Sequence, residues 1–441
     1  MEKEQKKNKK PAFVAVKGIY EIMPAEFPWW DRFLEVAEGV SKFYNFERIE
    51  TGIVENADLF LRSAGGEGTD VHKEMFFIKS NKDKWVLRPE ATASVARAYI
   101  EYGFSRLQQP VKLFYFGPMF RHENPQAGRY REFRQFGVEI IGGENDPVFD
   151  AQAISLASRI LKEIGFKDVV VEVNSIGCRV CQPAIKKKIQ KYYRTNIKKV
   201  CRDCQTRIDV NPFRVFDCKR EECQEVKKAA PVFLDLVCSN CQKHLKDVLE
   251  YLEELSISYE LNNNLVRGLD YYDRTVFEIF VEAGSKGEKK EENASKLAVG
   301  GGGRYDYLIE MIGGRPTAGV GFSFGVERII EIMKKKEIKI PAQKNKYKSV
   351  FFVHVGEVAK KRSLKLVEEL RKNGVGVIEG LSKDSFAKQL KMADKGGAEV
   401  AVILGQREVF EESVIIKNLK TGIQETVPVE KMAEEVKRHI K

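Results

Sequence analysis

The chain alternates between segments of period-two hydrophobicity and segments in which apolar residues recur every three or four positions. Residues 111–141, VKLFYFGPMFRHENPQAGRYREFRQFGVEII, predict two apolar strands joined by a long charged loop. Helices are predicted at residues 28–44, about 91–102 and about 150–164, and shorter strands at residues 76–78, 85–88 and 169–177. The first part of the chain therefore combines strands with flanking helices.

A change of pattern separates residues 178–257 from the segments on either side. They contain all eight cysteines and have a mostly helical periodicity. Strand patterns then resume, in NNNLVRGLDYY (262–272), RTVFEIFVEA (274–283) and LAVGGGGRYDYL (297–308), and TAGVGFSFGVERIIEIMKKK (317–336) predicts strand, turn and helix. The sheet is thus predicted to be interrupted by an inserted helical domain.

The C-terminal part, residues 347–441, alternates strands and helices in order, which predicts a compact α/β domain with helices over a mostly parallel sheet. We therefore expect five segments. They are a disordered basic tail (1–12), a core formed by 13–177 and 258–335, a Cys-rich helical insertion domain (178–257), a linker (336–346) and the C-terminal domain (347–441).

Composition and charge limit the possible partners. The 441 residues are 43% hydrophobic and 32% charged, with a net charge of +11, which permits a polyanionic partner. Lysine and arginine concentrate in residues 183–228, where a solvated helix face explains them as well as a nucleic-acid surface does. No apolar run approaches the roughly 18 residues of a membrane span, and MEKEQKKNKK does not resemble a secretory signal. We expect a cytoplasmic protein without a membrane partner.

Alternation along the two strands of residues 111–141 places an aromatic ring, an amide, carboxylates and an arginine on one face. These are Phe133, Gln135 and Glu139, with Gly137 leaving space between them, and, on the first strand, Met119, Arg121 and Glu123. A protein buries such a face against a ligand that pairs with it. The alternative is a surface hairpin with scattered charges.

Five motifs carry a resemblance to a known family. GPMFRHENPQAGRYREFRQFGVE (117–139) resembles motif 2 of the class II aminoacyl-tRNA synthetases, in the form typical of histidyl-tRNA synthetases, and GFSFGVER (321–328) resembles motif 3. VRGLDYY (266–272), GGGGRYDYL (300–308) and RPEAT (88–92) resemble the family's histidine-binding segments. The resemblance implies an α+β catalytic domain with an antiparallel sheet, a helical insertion and a C-terminal α/β anticodon-binding domain.

The resemblance also implies roles for individual residues. Arg121 would bind the α-phosphate of ATP, Glu123 the adenine amino group, and Phe133 and Arg328 the two faces of adenine. Arg121 and Arg267 are the catalytic candidates, because each would stabilise charge at the α-phosphate. The histidine-binding candidates are Glu90, Ala91, Thr92, Arg121, Gln135, Glu139, Arg267, Tyr271, Tyr272 and Tyr305.

The implied reaction joins L-histidine to tRNA(His) through histidyl-adenylate, using ATP and Mg²⁺ bound mainly through the ATP phosphates. A histidine carboxylate is already ionised at pH 7, so its attack requires no general base. The family implies a homodimer, but Gly52 stands where motif 1 usually has proline. Asn124 replaces the usual arginine in a loop that would face the tRNA acceptor end, whereas Gln126 and Arg129 remain.

The cysteines form four close pairs within one 64-residue span: Cys178/Cys181, Cys201/Cys204, Cys218/Cys223 and Cys238/Cys241. Four-cysteine spacing of this kind is typical of structural Zn²⁺ sites. The pairs can combine in three ways, and the sequence does not choose among them. Reduced, partly buried thiols are the alternative to one or two zinc ions.

Three other functions compete with the ligase. A paralogue of this family is the regulatory subunit of ATP phosphoribosyltransferase, but it usually lacks an anticodon domain and an intact VRGLDYY segment, both of which this chain contains. The tyrosine-containing motifs argue against a synthetase for proline or threonine. A noncatalytic zinc-dependent nucleic-acid-binding protein would explain the cysteines but not the ordered ATP motifs.

Overall fold

A computed structural model describes residues 13–63, 70–80, 83–124, 128–282, 296–341, 349–381 and 385–440. The chain divides into two compact units, Met1–Ile340 and Pro341–Lys441. The predicted tail, Gln126 and nearly all of the polar segment GSKGEKKEENASK lie outside the described residues. Among the helices within these ranges, none is both long and apolar enough to cross a membrane.

The first unit contains eleven strands and eleven α-helices among its described residues. The strands are β1 (Glu47–Arg48), β2 (Val54–Asn56), β3 (Phe76–Ile78), β4 (Trp85–Leu87), β5 (Val111–Phe120), β6 (Glu132–Ile141), β7 (Val169–Ser175), β8 (Tyr259–Leu261), β9 (Asp273–Glu282), β10 (Lys296–Arg304) and β11 (Gly319–Gly325). The helices are α1 (Phe27–Phe43), α2 (Ala57–Ser63), α3 (Asp70–Glu74), α4 (Thr92–Glu101), α5 (Val148–Ile164), α6 (Gln182–Thr195), α7 (Arg202–Val210), α8 (Gln224–Lys228), α9 (Ser239–Glu254), α10 (Leu308–Met311) and α11 (Val326–Lys335).

An eight-stranded sheet forms the centre of this unit, in the order β1-β5-β6-β11-β10-β9-β7-β8. All neighbours are antiparallel except β1/β5 and β7/β8. The antiparallel sheet and helical insertion expected from the sequence are thus present. A small three-stranded sheet, β2-β4-β3, accompanies the large one.

Helices α1 and α5 cover one face of the large sheet and build its hydrophobic core. The ring of Phe33 on α1 meets the edge of Phe136 on β6, with centroids 6.0 Å apart, and both side chains are fully buried. Apolar residues recur at helical spacing along α1 and α5, so each helix presents a continuous apolar stripe to the sheet. The opposite face of the sheet remains available for polar groups.

A buried ionic network joins α5, β10 and the insertion. Arg304 bonds Asp150 and lies 3.1 Å from Asp306, while His244 of α9 lies 3.5 Å from Asp150. Burial alone raises the pKa of Asp150, but the charge of Arg304 and the bonds from His244 and Arg304 lower it to about 2. Because a buried charge needs a partner, this network links the insertion to the core.

The second unit contains β12 (Ser349–His354), β13 (Gly376–Glu379), β14 (Val400–Leu404), β15 (Ser413–Asn418) and β16 (Gln424–Pro428), with α12 (Glu357–Lys372), α13 (Phe386–Lys395), α14 (Gln406–Phe410) and α15 (Met432–His439). Its sheet order is β13-β12-β14-β15-β16. Two neighbouring pairs are parallel and two are antiparallel, so the expectation of a mostly parallel sheet was wrong. The last three strands lie in chain order in the sheet, with α14 between β14 and β15 and a short loop between β15 and β16, and antiparallel neighbours can be joined by such short connections.

Two local predictions for the first unit were also wrong. Residues 262–272 do not form a strand, because Asn262 closes a turn with Leu265 and its side chain accepts from the Asn264 amide. Asparagine side chains favour such turns over regular strand pairing. In addition, α11 follows β11 directly, without the expected turn.

We predict that two Gly→Ala substitutions act in opposite directions. A Cβ at Gly302 on β10 would overlap the carbonyl oxygen of Gly321, whereas a Cβ at Gly39 in α1 meets nothing within 4 Å. Gly302→Ala should destabilise the unit by about 2–3 kcal/mol through overpacking, and Gly39→Ala should stabilise it by about 0.5–1 kcal/mol. Urea unfolding of both variants measures this. Equal effects would contradict the tight packing of β10 against β11.

Candidate active site

A polar cavity of about 370 Å³ lies on the open face of the large sheet, and it is continuous with a larger cleft of about 1010 Å³ beside the insertion. Three arginines from distant parts of the chain, Arg121, Arg267 and Arg328, line both spaces. Arginine is suited to phosphate because its planar guanidinium donates two parallel hydrogen bonds. The cavity therefore suits an anionic ligand.

Glycines clear the sheet face beneath this cavity. Gly137 on β6 lies opposite Ser323 on β11, which in turn lies opposite Gly301 on β10. A Cβ at Gly301 would lie 2.6 Å from a guanidinium nitrogen of Arg267, and so would displace it. Absence of side chains at these positions allows large polar groups to lie close to the backbone.

Arg121 lies immediately after β5, which ends at Phe120. Its Nε donates to the Pro89 carbonyl at 3.0 Å, and its guanidinium carbon lies 5.2 Å from the ring centre of Phe133. Glu123 faces Arg129 at 3.4 Å. These side chains project into the cavity.

Met119 lies in the core and does not line the cavity, so the expected shared face with Arg121 and Glu123 was wrong. Strand β5 ends at Phe120, so the alternation of side chains between its two faces does not extend to Arg121 and Glu123.

The other two arginines are held in different ways. Arg267 lies 3.7 Å from the carboxylate of Glu278 and 5.8 Å from the ring centre of Tyr272. Arg328 donates to the backbone carbonyls of Gly128 and Ala298 at 3.0 and 3.1 Å. Neutral carbonyls orient a guanidinium without cancelling its charge, so Arg328 keeps its positive charge for a ligand.

One end of the cavity is a smaller, more deeply buried pocket. Glu90, Thr92, Gln135, Tyr271 and Tyr272 line it. Glu90 accepts hydrogen bonds from the backbone amides of Thr92 and Ala93 at 2.6 and 3.0 Å, at the start of α4. Burial raises the pKa of Glu90, whereas these two bonds lower it.

Three other candidates, Ala91, Glu139 and Tyr305, lie behind this wall, and each is about 1% exposed. The Glu139 carboxylate accepts a hydrogen bond from Thr92 Oγ1 at 2.6 Å and another from the Tyr305 hydroxyl. Burial raises the pKa of Glu139 to about 8, even though these two bonds lower it. A Cβ on Gly321 would overlap this carboxylate, so the glycine is required there. The structure thus brings the ATP-binding and histidine-binding candidates together, in two layers.

Glu278 is a cavity residue that sequence reasoning missed. It lies on β9, opposite Gly301, and its pKa is raised by burial although Arg267 lowers it. The available signal was a single carboxylate within TVFEIFV, because a buried acid among apolar residues requires a partner. Glu327, which accepts from the Arg134 amide at 2.8 Å, is a second such residue.

The eight cysteines form two compact groups. The first cysteine group contains Cys178, Cys181, Cys238 and Cys241, and the second cysteine group contains Cys201, Cys204, Cys218 and Cys223. Sγ–Sγ distances of 3.6–4.0 Å in the first group and 3.8 and 4.0 Å in the second exclude disulfides. They match the edge of about 3.8 Å expected for a tetrahedron with Zn–S bonds of about 2.3 Å.

Comparison with protein families gives two matches. The model of the histidyl-tRNA synthetase family matches residues 18–329, and that of an anticodon-binding domain matches residues 349–439. Together these matches span most of both compact units.

Individual relatives agree with the family matches. A histidine–tRNA ligase of Dehalococcoides mccartyi strain 195 is 42% identical over 96% of this chain and 99% of its own length. One from Halothermothrix orenii is 40% identical over the same shares. The crystal structure of apo Staphylococcus aureus histidyl-tRNA synthetase has a TM-score of 0.75 at 30% identity, and covers 96% of this chain and 99% of that one.

We predict a pH-dependent stability difference for Glu139→Gln. The folded pKa of about 8 exceeds the ordinary value of 4.5, so between these pH values the folded chain retains a proton that the unfolded chain has lost. Stability contributed by this group is complete below pH 4.5 and falls as pH rises towards 8. The glutamine side chain of the variant does not titrate. The free energy of unfolding of Glu139→Gln should therefore rise, relative to that of the parent, by about 2–3 kcal/mol as the pH increases from 5.5 to 7.5.

Urea unfolding at pH 5.5 and 7.5 measures the difference. Glu254→Gln, at an exposed position of α9, is the control and should show little change between the two pH values. If the free energies of unfolding of Glu139→Gln and the parent differed by the same amount at both pH values, Glu139 would not hold a proton in the folded chain.

Proposed function

The chain belongs to the histidyl-tRNA synthetase family, and from that premise we propose how its cavity performs the family's reaction. That reaction is the ATP-dependent ligation of histidine to tRNA(His). The observation that carries the proposal is that Arg121, Arg267 and Arg328 line one cavity together with Glu90 and Gln135.

ATP binds at the arginine-rich end of the cavity. Phe133 stacks against adenine, and Glu123 accepts from its amino group after exchanging its contact with Arg129. Arg328 covers the other face of adenine and approaches the γ-phosphate. The guanidinium of Arg121 lies over Phe133, so stacking of adenine on this ring requires Arg121 to turn towards the α-phosphate.

Histidine occupies the buried end of the cavity. Glu90, Thr92 and Gln135 bind its ammonium group, and Tyr271 and Tyr272 enclose its side chain. The imidazole N–H donates to Glu139, which lies behind the wall, so Thr92 must give up its hydrogen bond to this carboxylate when the ring enters. A buried carboxylate that requires a donor discriminates strongly against isosteric side chains lacking one.

Adenylation follows from positioning and electrostatics. The ionised carboxylate of histidine attacks the α-phosphorus, the bond to the β-phosphate oxygen breaks, and pyrophosphate leaves. Arg121 and Arg267 stabilise the charge that develops on the α-phosphate oxygens. Mg²⁺, which prefers oxygen ligands, would neutralise phosphate charge, and the partly buried Glu278 carboxylate facing the cavity fits such a cation.

The transfer step requires the 3′ end of tRNA to reach the adenylate. Arg207, Arg214, Lys219 and Lys227 of the insertion line the larger cleft, and their charges suit a phosphodiester backbone. Arg129, in the same motif 2 segment as Asn124, also lines this cleft. The anticodon-binding domain, residues 349–439, binds the distant end of the same tRNA.

A homodimer and a cytoplasmic location complete the proposal, since the family charges tRNA for translation. The small sheet β2-β4-β3 supports the dimer, because Ile53, Val54, Phe77 and Trp85 are each 43–52% exposed on or beside it. Exposed apolar residues in one patch are typical of an interface. Gly52 lies beside this patch, and a Cβ there would meet the Val54 carbonyl at 3.3 Å.

Each cysteine group also binds one structural Zn²⁺. Four thiolates in tetrahedral arrangement are a preferred zinc site, and backbone amides donate to sulfur in both groups. The Cys178 amide donates to Cys181 Sγ at 3.3 Å, and the Cys201 amide donates to Cys223 Sγ at 3.2 Å. Such bonds orient the sulfur atoms and favour the thiolate.

We predict that labelled pyrophosphate exchanges into ATP with histidine and with none of the other nineteen amino acids. Arg267→Gln should lower the rate by about 10²–10³-fold, because it removes a charge that stabilises the transition state. Arg315→Gln, at an exposed position outside the cavity, is the control and should retain the parent rate.

Exchange with no amino acid, from folded protein, would overturn the ligase proposal in favour of a regulatory subunit. Exchange with another amino acid would instead overturn the histidine pocket. Charging of tRNA(His) with labelled histidine then tests the transfer step.

We predict two zinc ions per chain in protein purified without chelators, measured by atomic emission. Cys218→Ser removes one ligand of the second cysteine group and should leave one ion. The reason is that three thiolates bind zinc less tightly than four. A parent protein without zinc would contradict both sites.

A further inference from the structure

We propose that zinc in the first cysteine group positions the histidine pocket, so that this structural metal controls the affinity of the enzyme for histidine. The inference rests on the proposed adenylation function and assigns to the metal a task beyond holding the insertion together. It follows from the contacts that the peptide beside these cysteines makes with two histidine-binding segments.

The first cysteine group lies where the insertion leaves the core after β7 and where α9, which packs against α5 and β7, begins. Cys178 follows β7 by three residues, Cys181 directly precedes α6, and Cys238 directly precedes α9. A metal bound by all four thiols would therefore join the beginning of α6 to that of α9. The rest of the insertion extends from this junction.

Backbone and side-chain bonds connect the junction to the segment that carries Tyr271 and Tyr272. The carbonyl of Gly177, next to Cys178, accepts from the Arg274 amide at 2.9 Å and from Gln182 Nε2 at 3.1 Å. The same Gln182 nitrogen lies 3.3 Å from the carbonyl of Tyr272. The position of the tyrosine pair is thus tied to the chain on both sides of Cys178 and Cys181.

A second connection reaches the segment that carries Tyr305. Arg179, between the first two cysteines, stacks over the ring of Tyr307 with its guanidinium carbon 4.6 Å from the ring centre. It also pairs with Glu310 at 2.9 Å. Tyr307 follows Tyr305 by two residues, and the ring of Tyr305 lies 5.9 Å from that of Tyr271.

Tight packing makes these connections stiff. A Cβ on Gly177 would lie 2.7 Å from Cys181 Sγ and 2.9 Å from Ile185. Cys178, Cys181 and Cys241 belong to the same buried cluster as Tyr271 and Tyr305. If loss of the metal displaced these cysteines, the tyrosine side chains of the histidine pocket would therefore move with them.

The ATP-binding residues belong to other elements. Arg121 follows β5, Phe133 lies on β6 and Arg328 lies on α11. Loss of the first zinc should for this reason weaken histidine binding much more than ATP binding. A rise in the KM for histidine with little change in the KM for ATP is a result that general destabilisation would not produce.

The test compares Cys238→Ser with Cys238→His in pyrophosphate exchange. Cys238 is the partly exposed member of its group, so a larger side chain has room there. Cys238→Ser should hold one zinc ion and raise the KM for histidine about tenfold or more, with the KM for ATP within about twofold of the parent. Cys238→His supplies a nitrogen ligand and should retain two ions and a nearly normal KM for histidine.

Arg179→Met tests the same link without touching a ligand. It should retain two zinc ions and raise the KM for histidine about threefold, since it breaks the contact with Tyr307 and Glu310. Lys246→Gln, at an exposed position on α9, is the matched control and should change neither constant. These variants keep the test decisive if Cys238→Ser does not fold.

The outcomes separate the two proposals. A parent enzyme without histidine-dependent exchange would overturn the proposed function itself. An active parent without zinc, or a zinc-depleted Cys238→Ser with an unchanged KM for histidine, would overturn only the positioning role. An equal rise in the KM for histidine in Cys218→Ser would assign the effect to general loosening of the insertion and would also overturn it.

Discussion

The structure depends on one constraint, which is the burial of charged groups against the face of an antiparallel sheet. Such groups require both space and partners, because an unpaired charge removed from water is strongly unfavourable. Gly301 and Gly321 leave space for Arg267 and Glu139, and Gly137 leaves space for the Tyr115 side chain. The partners come from segments distant in sequence, which the order of the strands brings to the same place.

Much of this arrangement could be predicted from the sequence because it depends on local pattern. Period-two alternation predicted the hairpin β5–β6, and the motifs of a known family supplied the candidate site residues. Residues 262–272 could not be placed correctly, because their shape depends on a turn at Asn262 and on a bond from Asn174 to the Leu265 carbonyl. The role of Glu278 was hidden for a similar reason, since its partner Arg267 lies in that same irregular segment.

The pairing of the cysteines shows why spacing alone was insufficient. Short intervals favour neighbouring pairs, yet the first pair groups with the fourth and the second with the third. The cause is topological. Strands β7 and β9 are neighbours in the sheet although the insertion separates them in sequence, so the chain must leave and return at adjacent points. The first and fourth cysteine pairs therefore form the group next to the sheet, and the second and third pairs form the other group within the insertion.

The buried end of the cavity relates selectivity to stability. Glu90, Glu139 and Tyr305 are packed so deeply that burial raises the pKa of each. The Glu139 carboxyl must keep a proton or carry a charge that accepts hydrogen bonds from the hydroxyl groups of Thr92 and Tyr305. Under the proposed function, a ligand with an N–H donor would pair with this carboxyl group, whereas an apolar side chain of similar shape would leave the acceptor unpaired. The burial that makes the protein less stable at high pH would then also select the ligand, so neither property could be changed alone.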